Sequence, residues 1–126
     1  MKTAAPTQSQ TVIHVVRSLP VGGVESMLAR TLPLFPTERY APRVVCMESR
    51  GAFAQPLADA GVPVDFVSVP KRTHPLGLLR LARYFHKMNP RIIHTHMFSC
   101  NVTGTIAARM YRANVPVVCH VHMVSE

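Results

Sequence analysis

A chain of 126 residues, 48% of them hydrophobic, is long enough to bury one real core and too short for two ordinary domains. Fourteen lysines and arginines against six acids give a net charge of +8 with histidines neutral, so the surface favours anionic partners: phosphorylated ligands, an acidic membrane face or nucleic acid. No apolar run reaches the length of a membrane span, the first ten residues lack the apolar core of an export signal, and Cys46, Cys100 and Cys119 show no metal-finger or redox spacing, so a cytoplasmic domain with reduced, core-filling thiols is expected.

Residues 1–10 are polar and read as a disordered or frayed lead-in to a domain covering 11–126. Over 12–16 the run is β-branched apart from His14, which predicts a buried strand, and Pro20 bars its continuation. From Val24 onward, Val24, Met27, Leu28, Thr31, Leu32 and Phe35 follow helical spacing. Gly22 and Gly23 stand at the mouth of that helix, where free N–H groups and the positive end of the dipole suit a phosphate. The same pair also serves as a permissive turn that binds nothing.

A second strand is predicted over 43–47, a turn over 48–51, and a short helix over 52–60 that contains Pro56 and stops at Gly61. A third strand over 62–69 leads into a basic loop over 70–75. A third helix over 76–88 aligns Leu78, Leu81, Ala82 and Phe85, and Asn89-Pro90 closes it. A strand over 91–96, a helix over 101–112 and a strand over 115–122 complete the chain.

Strict alternation of apolar strands with helices implies a mostly parallel sheet covered on both faces, a Rossmann-like three-layer α/β/α sandwich. Right-handed crossovers with a reversal after the third strand place the fourth strand beside the first and the fifth beside the fourth. Ligands of such sheets bind at the carboxyl ends of the strands, near the reversal.

His94 and His96 end one strand, and His120 and His122 end the next. Residues two apart share a face, so each pair projects from one side of the sheet. Four imidazoles invite zinc, yet no acidic or cysteine ligand accompanies them, and no metal is assigned. His94 and His120 are expected between sheet and helix, and His96 and His122 exposed to the crevice as acid, base or sugar ligand. Lys71 and Arg72 on a strand-end loop suit phosphate or simply solvent. Arg80, Arg83 and Lys87 share a helical face, which suits solvent or an anionic membrane, and no aromatic platform supports nucleic acid. The dinucleotide pattern G-x-G-x-x-G and the phosphate-loop pattern are absent, although Glu48 stands where a dinucleotide-binding acid would fall.

Ile13-His-Val-Val-Arg-Ser-Leu-Pro-Val-Gly-Gly-Val-Glu25, Leu57-Ala-Asp-Ala-Gly-Val-Pro-Val64, Pro90-Arg-Ile-Ile-His-Thr-His96 and Val115-Pro-Val-Val-Cys-His-Val-His122 resemble, in order, stretches of the N-terminal domain of family 4 glycosyltransferases with the GT-B fold. The resemblance implies a retaining enzyme of two Rossmann-like domains facing across a cleft, with this chain as the acceptor-side half. It implies Gly22 and Gly23 at the donor diphosphate or an acceptor phosphate, and His122 at the donor sugar near the reacting carbon, with His120 second to it. His96, Asn101, Lys71 and Arg72 then line the acceptor side. Glu25 matches the family's Gly-Gly-x-Glu pattern, and its charge at a helix N-terminus is explanation enough.

The substrates so implied are a nucleotide-sugar donor and a hydroxyl acceptor on a glycan, a lipid-linked or a phosphorylated molecule, with no cofactor. The family's paired glutamates belong to a C-terminal domain, supplied in cis or as a separate chain, without which this half is expected to be inactive. Peripheral contact with the inner face of an anionic membrane is a further expectation. The alternatives from other classes are a non-catalytic domain that binds a phosphate or lipid ligand and, behind it, a zinc-binding module.

Overall fold

A computed structural model describes residues 10–18, 28, 30–34, 39–52, 54–71, 73–112 and 114–120 of the chain. Five strands form one sheet: β1 (Gln10–Val16), β2 (Tyr40–Cys46), β3 (Val64–Phe66), β4 (Ile92–His96) and β5 (Val117–His120). Every pairing is parallel and the order is β3-β2-β1-β4-β5, so the expected Rossmann-like α/β topology and its reversal between β1 and β4 are present. Three helices, α1 (Ala54–Asp59), α2 (Pro75–Met88) and α3 (Phe98–Tyr111), and a 3-10 turn at Leu32–Leu34 complete the described elements. Among the described residues no helix is long and apolar enough to cross a membrane.

Alternation along the strands splits the core in two. Ile13, Val15, Val45 and Ile93 meet Leu78, Leu81 and Phe85 of α2 and Ala107 and Ala108 of α3 on one face. On the other, Val16, Val44 and Cys46 meet Leu28, Leu32, Ala54 and Leu57. Burial on both faces is why β1 and β2 read as continuous apolar runs rather than alternating ones.

The helix boundaries have local causes. α2 opens on Pro75, behind His74, whose Nδ1 accepts a hydrogen bond from the Gly77 N–H at 3.0 Å. It ends at Asn89, which adopts the left-handed conformation at φ 51° and donates its N–H to the Phe85 carbonyl. Pro56 lies in the first turn of α1, where its missing N–H costs nothing, and the helix covers only six residues of the expected nine-residue span.

Four other expectations shift. The sheet starts at Gln10, the last residue of the predicted lead-in. β3 is three residues long rather than eight, although the Val67 and Val69 N–H groups still bond to the Cys46 and Met47 carbonyls at 2.9 and 3.0 Å. α3 begins at Phe98 instead of 101, because Met97 alone makes the turn, at φ 74° and ψ 158°. Cys46 and Cys100 are buried, as core fillers should be, but Cys119 is exposed because β5 is an edge strand. Burial pushes the Cys46 thiol up to about 12, which keeps it inert.

Candidate functional site

The carboxyl end of the sheet beside the reversal is occupied by histidines. His14 of β1 stands in register with His94 of β4, and His96 with His120 of β5, so all four share the sheet face that carries Val16, Val44 and Cys46. The His94 and His96 rings stack with centroids 4.3 Å apart and 14° between planes. His14 lies 5.1 Å from His94 and 5.3 Å from His96, and His120 lies 5.6 and 5.8 Å from the same two rings.

The exposure of these rings reverses the sequence expectation. His96 is 1% exposed rather than open to a crevice, whereas His94 is half-buried and His120 exposed. For His96 and His120 the sheet's own geometry is the reason: β4 lies between β1 and β5, so its last residue is flanked on both sides, while His120 stands on an edge. His14, to which the sequence reading assigned no role, is the other buried member at 4% exposure. The signal that could have found it is its place as the single polar residue in the apolar run of β1.

His14 Nδ1 and His96 Nε2 face each other at 3.1 Å, so one of them donates and the other accepts. Burial, reinforced by neighbouring His94, drives His14 down to about 3, so its ring is neutral at ordinary pH. Whichever tautomer it takes, Nε2 of His14 is buried without a hydrogen-bond partner among the described residues. Such an orphaned polar atom costs roughly 1–3 kcal/mol.

The opposite face of β4 holds this end of the sheet rigid. With its nitrogen turned toward β4, the Asn101 amide donates to Thr95 Oγ1 at 2.6 Å, to the Met97 carbonyl at 3.1 Å and to the Thr95 carbonyl at 3.3 Å. Asn101, expected to line the acceptor side, thus ties the first turn of α3 to the end of β4 and is half-buried there. Met97 also donates its N–H to the His120 carbonyl at 2.9 Å, which carries the β4–β5 ladder through the turn.

Of the remaining candidates, Lys71 is exposed on the loop after β3. Gly22, Gly23, Arg72 and His122 lie outside the described residues. At the carboxyl end of β2, Glu48 pairs with Arg17 at 3.6 Å, a solvent-screened ion pair.

Residues 21–126 match the family model described as Glycosyltransferase Family 4. Over 120 residues the chain is 32% identical to the UDP-Gal:alpha-D-GlcNAc-diphosphoundecaprenol alpha-1,3-galactosyltransferase of Escherichia coli. That alignment takes in 90% of this chain and 30% of the relative's length. No solved structure gives a significant match. With the parallel sheet and its strand order, these likenesses lead to one assignment: the chain belongs to glycosyltransferase family 4, as an N-terminal domain of that family.

Proposed function

We propose that this chain is the acceptor-side half of a retaining glycosyltransferase of the GT-B architecture, which moves a sugar from a nucleotide-sugar to a hydroxyl acceptor. The observation that carries the reading is the family match across 21–126, which spans the glycine pair, β4 and β5. The named relative uses UDP-Gal and a diphosphoundecaprenol-linked GlcNAc. By that likeness, the donor is a nucleoside-diphosphate hexose and the acceptor a sugar on a lipid diphosphate. Retention is the course that turns an α-linked donor into an α-linked product.

In this reading the acceptor hydroxyl attacks the anomeric carbon as the bond to the nucleoside diphosphate breaks. Gly22 and Gly23 offer backbone N–H groups to a diphosphate. His122 contacts the donor sugar, and Lys71 and Arg72 attract the anionic acceptor. His96 and Asn101 shape the end of β4 behind them. Rate acceleration comes from positioning and from stabilising the leaving diphosphate in a closed cleft. The second wall is a C-terminal domain, in cis or as a separate chain, and the half described here is inactive alone.

Peripheral attachment to the inner face of the membrane fits a lipid-linked acceptor. Leu76 and Leu79 of α2 are 56% and 44% exposed, beside exposed Arg83 and Lys87, a pairing of apolar and basic groups suited to an anionic bilayer. The decisive experiment measures transfer from UDP-galactose to a diphospholipid-linked GlcNAc by the complete two-domain enzyme. His122→Ala is expected to lower turnover by at least about a hundredfold, the scale of a lost acid–base or electrostatic contact. Unchanged turnover removes His122 from the site.

A further inference from the structure

We propose that His14, His94 and His96 form a binding site for one divalent transition-metal ion, zinc by the chemistry of its donors, at the strand reversal. One nitrogen of each ring lies within 4.8 Å of the other two, and His14 Nδ1 stands 3.1 Å from His96 Nε2. Nitrogens bound tetrahedrally to zinc are about 3.4 Å apart. The closest pair is therefore already near ligand spacing, and small ring rotations bring in the third.

The backbone makes the site. Two ligands sit two residues apart on β4, and the third comes from the residue of β1 in register with the first of them. All three are thus fixed by a sheet rather than by loops, which is what a preformed site needs. The donors are imidazoles, with no carboxylate among them, a set that suits zinc and excludes magnesium and calcium. A neutral ring is the form that binds a metal, and the 3.1 Å approach of His14 Nδ1 to His96 Nε2 shows these two ring nitrogens already turned toward one another. Half-buried His94, next to exposed His120, opens the cluster toward the edge of the sheet and gives the ion a way in. Three histidines leave the fourth position of zinc for water or an anion.

This site does not rest on the transferase reading, because the three rings stand together whatever the domain does. The test uses the 126-residue chain with any affinity tag removed and metal stripped by chelation. Cobalt(II) is added and followed by visible absorption, and zinc by calorimetry. One ion per chain is expected, with four-coordinate cobalt bands that one equivalent of zinc abolishes. His94→Gln and His96→Gln should each weaken zinc binding by more than the roughly 10–100-fold that loss of an outer-shell partner costs. His120→Gln, beside the cluster but outside the donor set, should bind zinc like the parent. If His96→Gln fails to fold, the half-buried position 94 carries the test. Absence of cobalt bands, zinc retained at full affinity by His94→Gln, or binding abolished by His120→Gln would each overturn the proposal.

Discussion

The contact between α3 and β4 is tight enough to be tested with one methyl group. A Cβ added at Gly104 would stand 2.4 Å from Thr95 Cγ2, against about 3.5–4.0 Å for an ordinary carbon contact. Roughly 1 Å of room must be opened, and Thr95 cannot supply it. Its side chain is fully buried, and its hydroxyl is held at 2.6 Å by Asn101. Overpacking of this kind costs about 1–3 kcal/mol, while replacing a helical glycine by alanine returns up to about 1 kcal/mol. Gly104→Ala should therefore destabilise the domain by about 1–2 kcal/mol, visible as a lower urea midpoint and a thermal midpoint reduced by roughly 4–8 °C. Thr95→Ser deletes the methyl that is struck and keeps the hydroxyl, so the two changes together should recover about 1 kcal/mol relative to their sum. Gly104→Ala as stable as the parent, or a double variant that is merely additive, would refute the close approach.

Two further outcomes follow from other parts of the fold. Asp65 Oδ2 accepts hydrogen bonds from Tyr84 Oη at 2.6 Å and Arg43 Nε at 2.9 Å. Burial pushes this carboxyl up, but the bonds from Tyr84 and Arg43 outweigh it and hold Asp65 below its usual range. Its stabilising contribution is present above the unfolded carboxylate pKa, about 4, and is lost as pH falls through the lower folded value. Tyr84→Phe should cost about 1–2 kcal/mol near neutrality and flatten the decline of stability below about pH 4, measured by urea titration; an unchanged acid profile would remove Tyr84 from that role. Met97 takes a backbone conformation that is nearly reserved for glycine, at φ 74°. Met97→Val should lose roughly 1–3 kcal/mol and Met97→Gly should lose little or gain, and the reverse order in thermal unfolding would show that the turn is unstrained.

The five strands and the three helices over 54–111 were legible in the chain, because burial on both faces makes parallel strands apolar throughout and leaves helices with a 3.6-residue period, whereas most of the helix expected from Val24 lies outside the described residues. Leu78, Leu81, Ala82 and Phe85 named the buried face of α2, and Asn89-Pro90 marked its end. Right-handed crossovers together with a reversal after the third strand placed β4 beside β1. The start of α3 was hidden, since a single left-handed methionine replaces the loop that 97–100 resembles and carries no sequence mark of its own. The expected functions of Gly22, Gly23, Arg72 and His122 rest on family likeness, as these residues lie outside those described.

The histidines divide the two kinds of information most clearly. Periodicity alone put His94 and His96 on one face of one strand. The burial of His96, and the arrival of His14 between Val44 and His94, depended on register between residues 30 and 80 apart in the chain. Register across a parallel crossover is set by how the intervening helices pack on the sheet, a property of the whole core, so no local pattern carries it. The chemistry of each residue was written in the sequence; which residues became neighbours was decided by the packing.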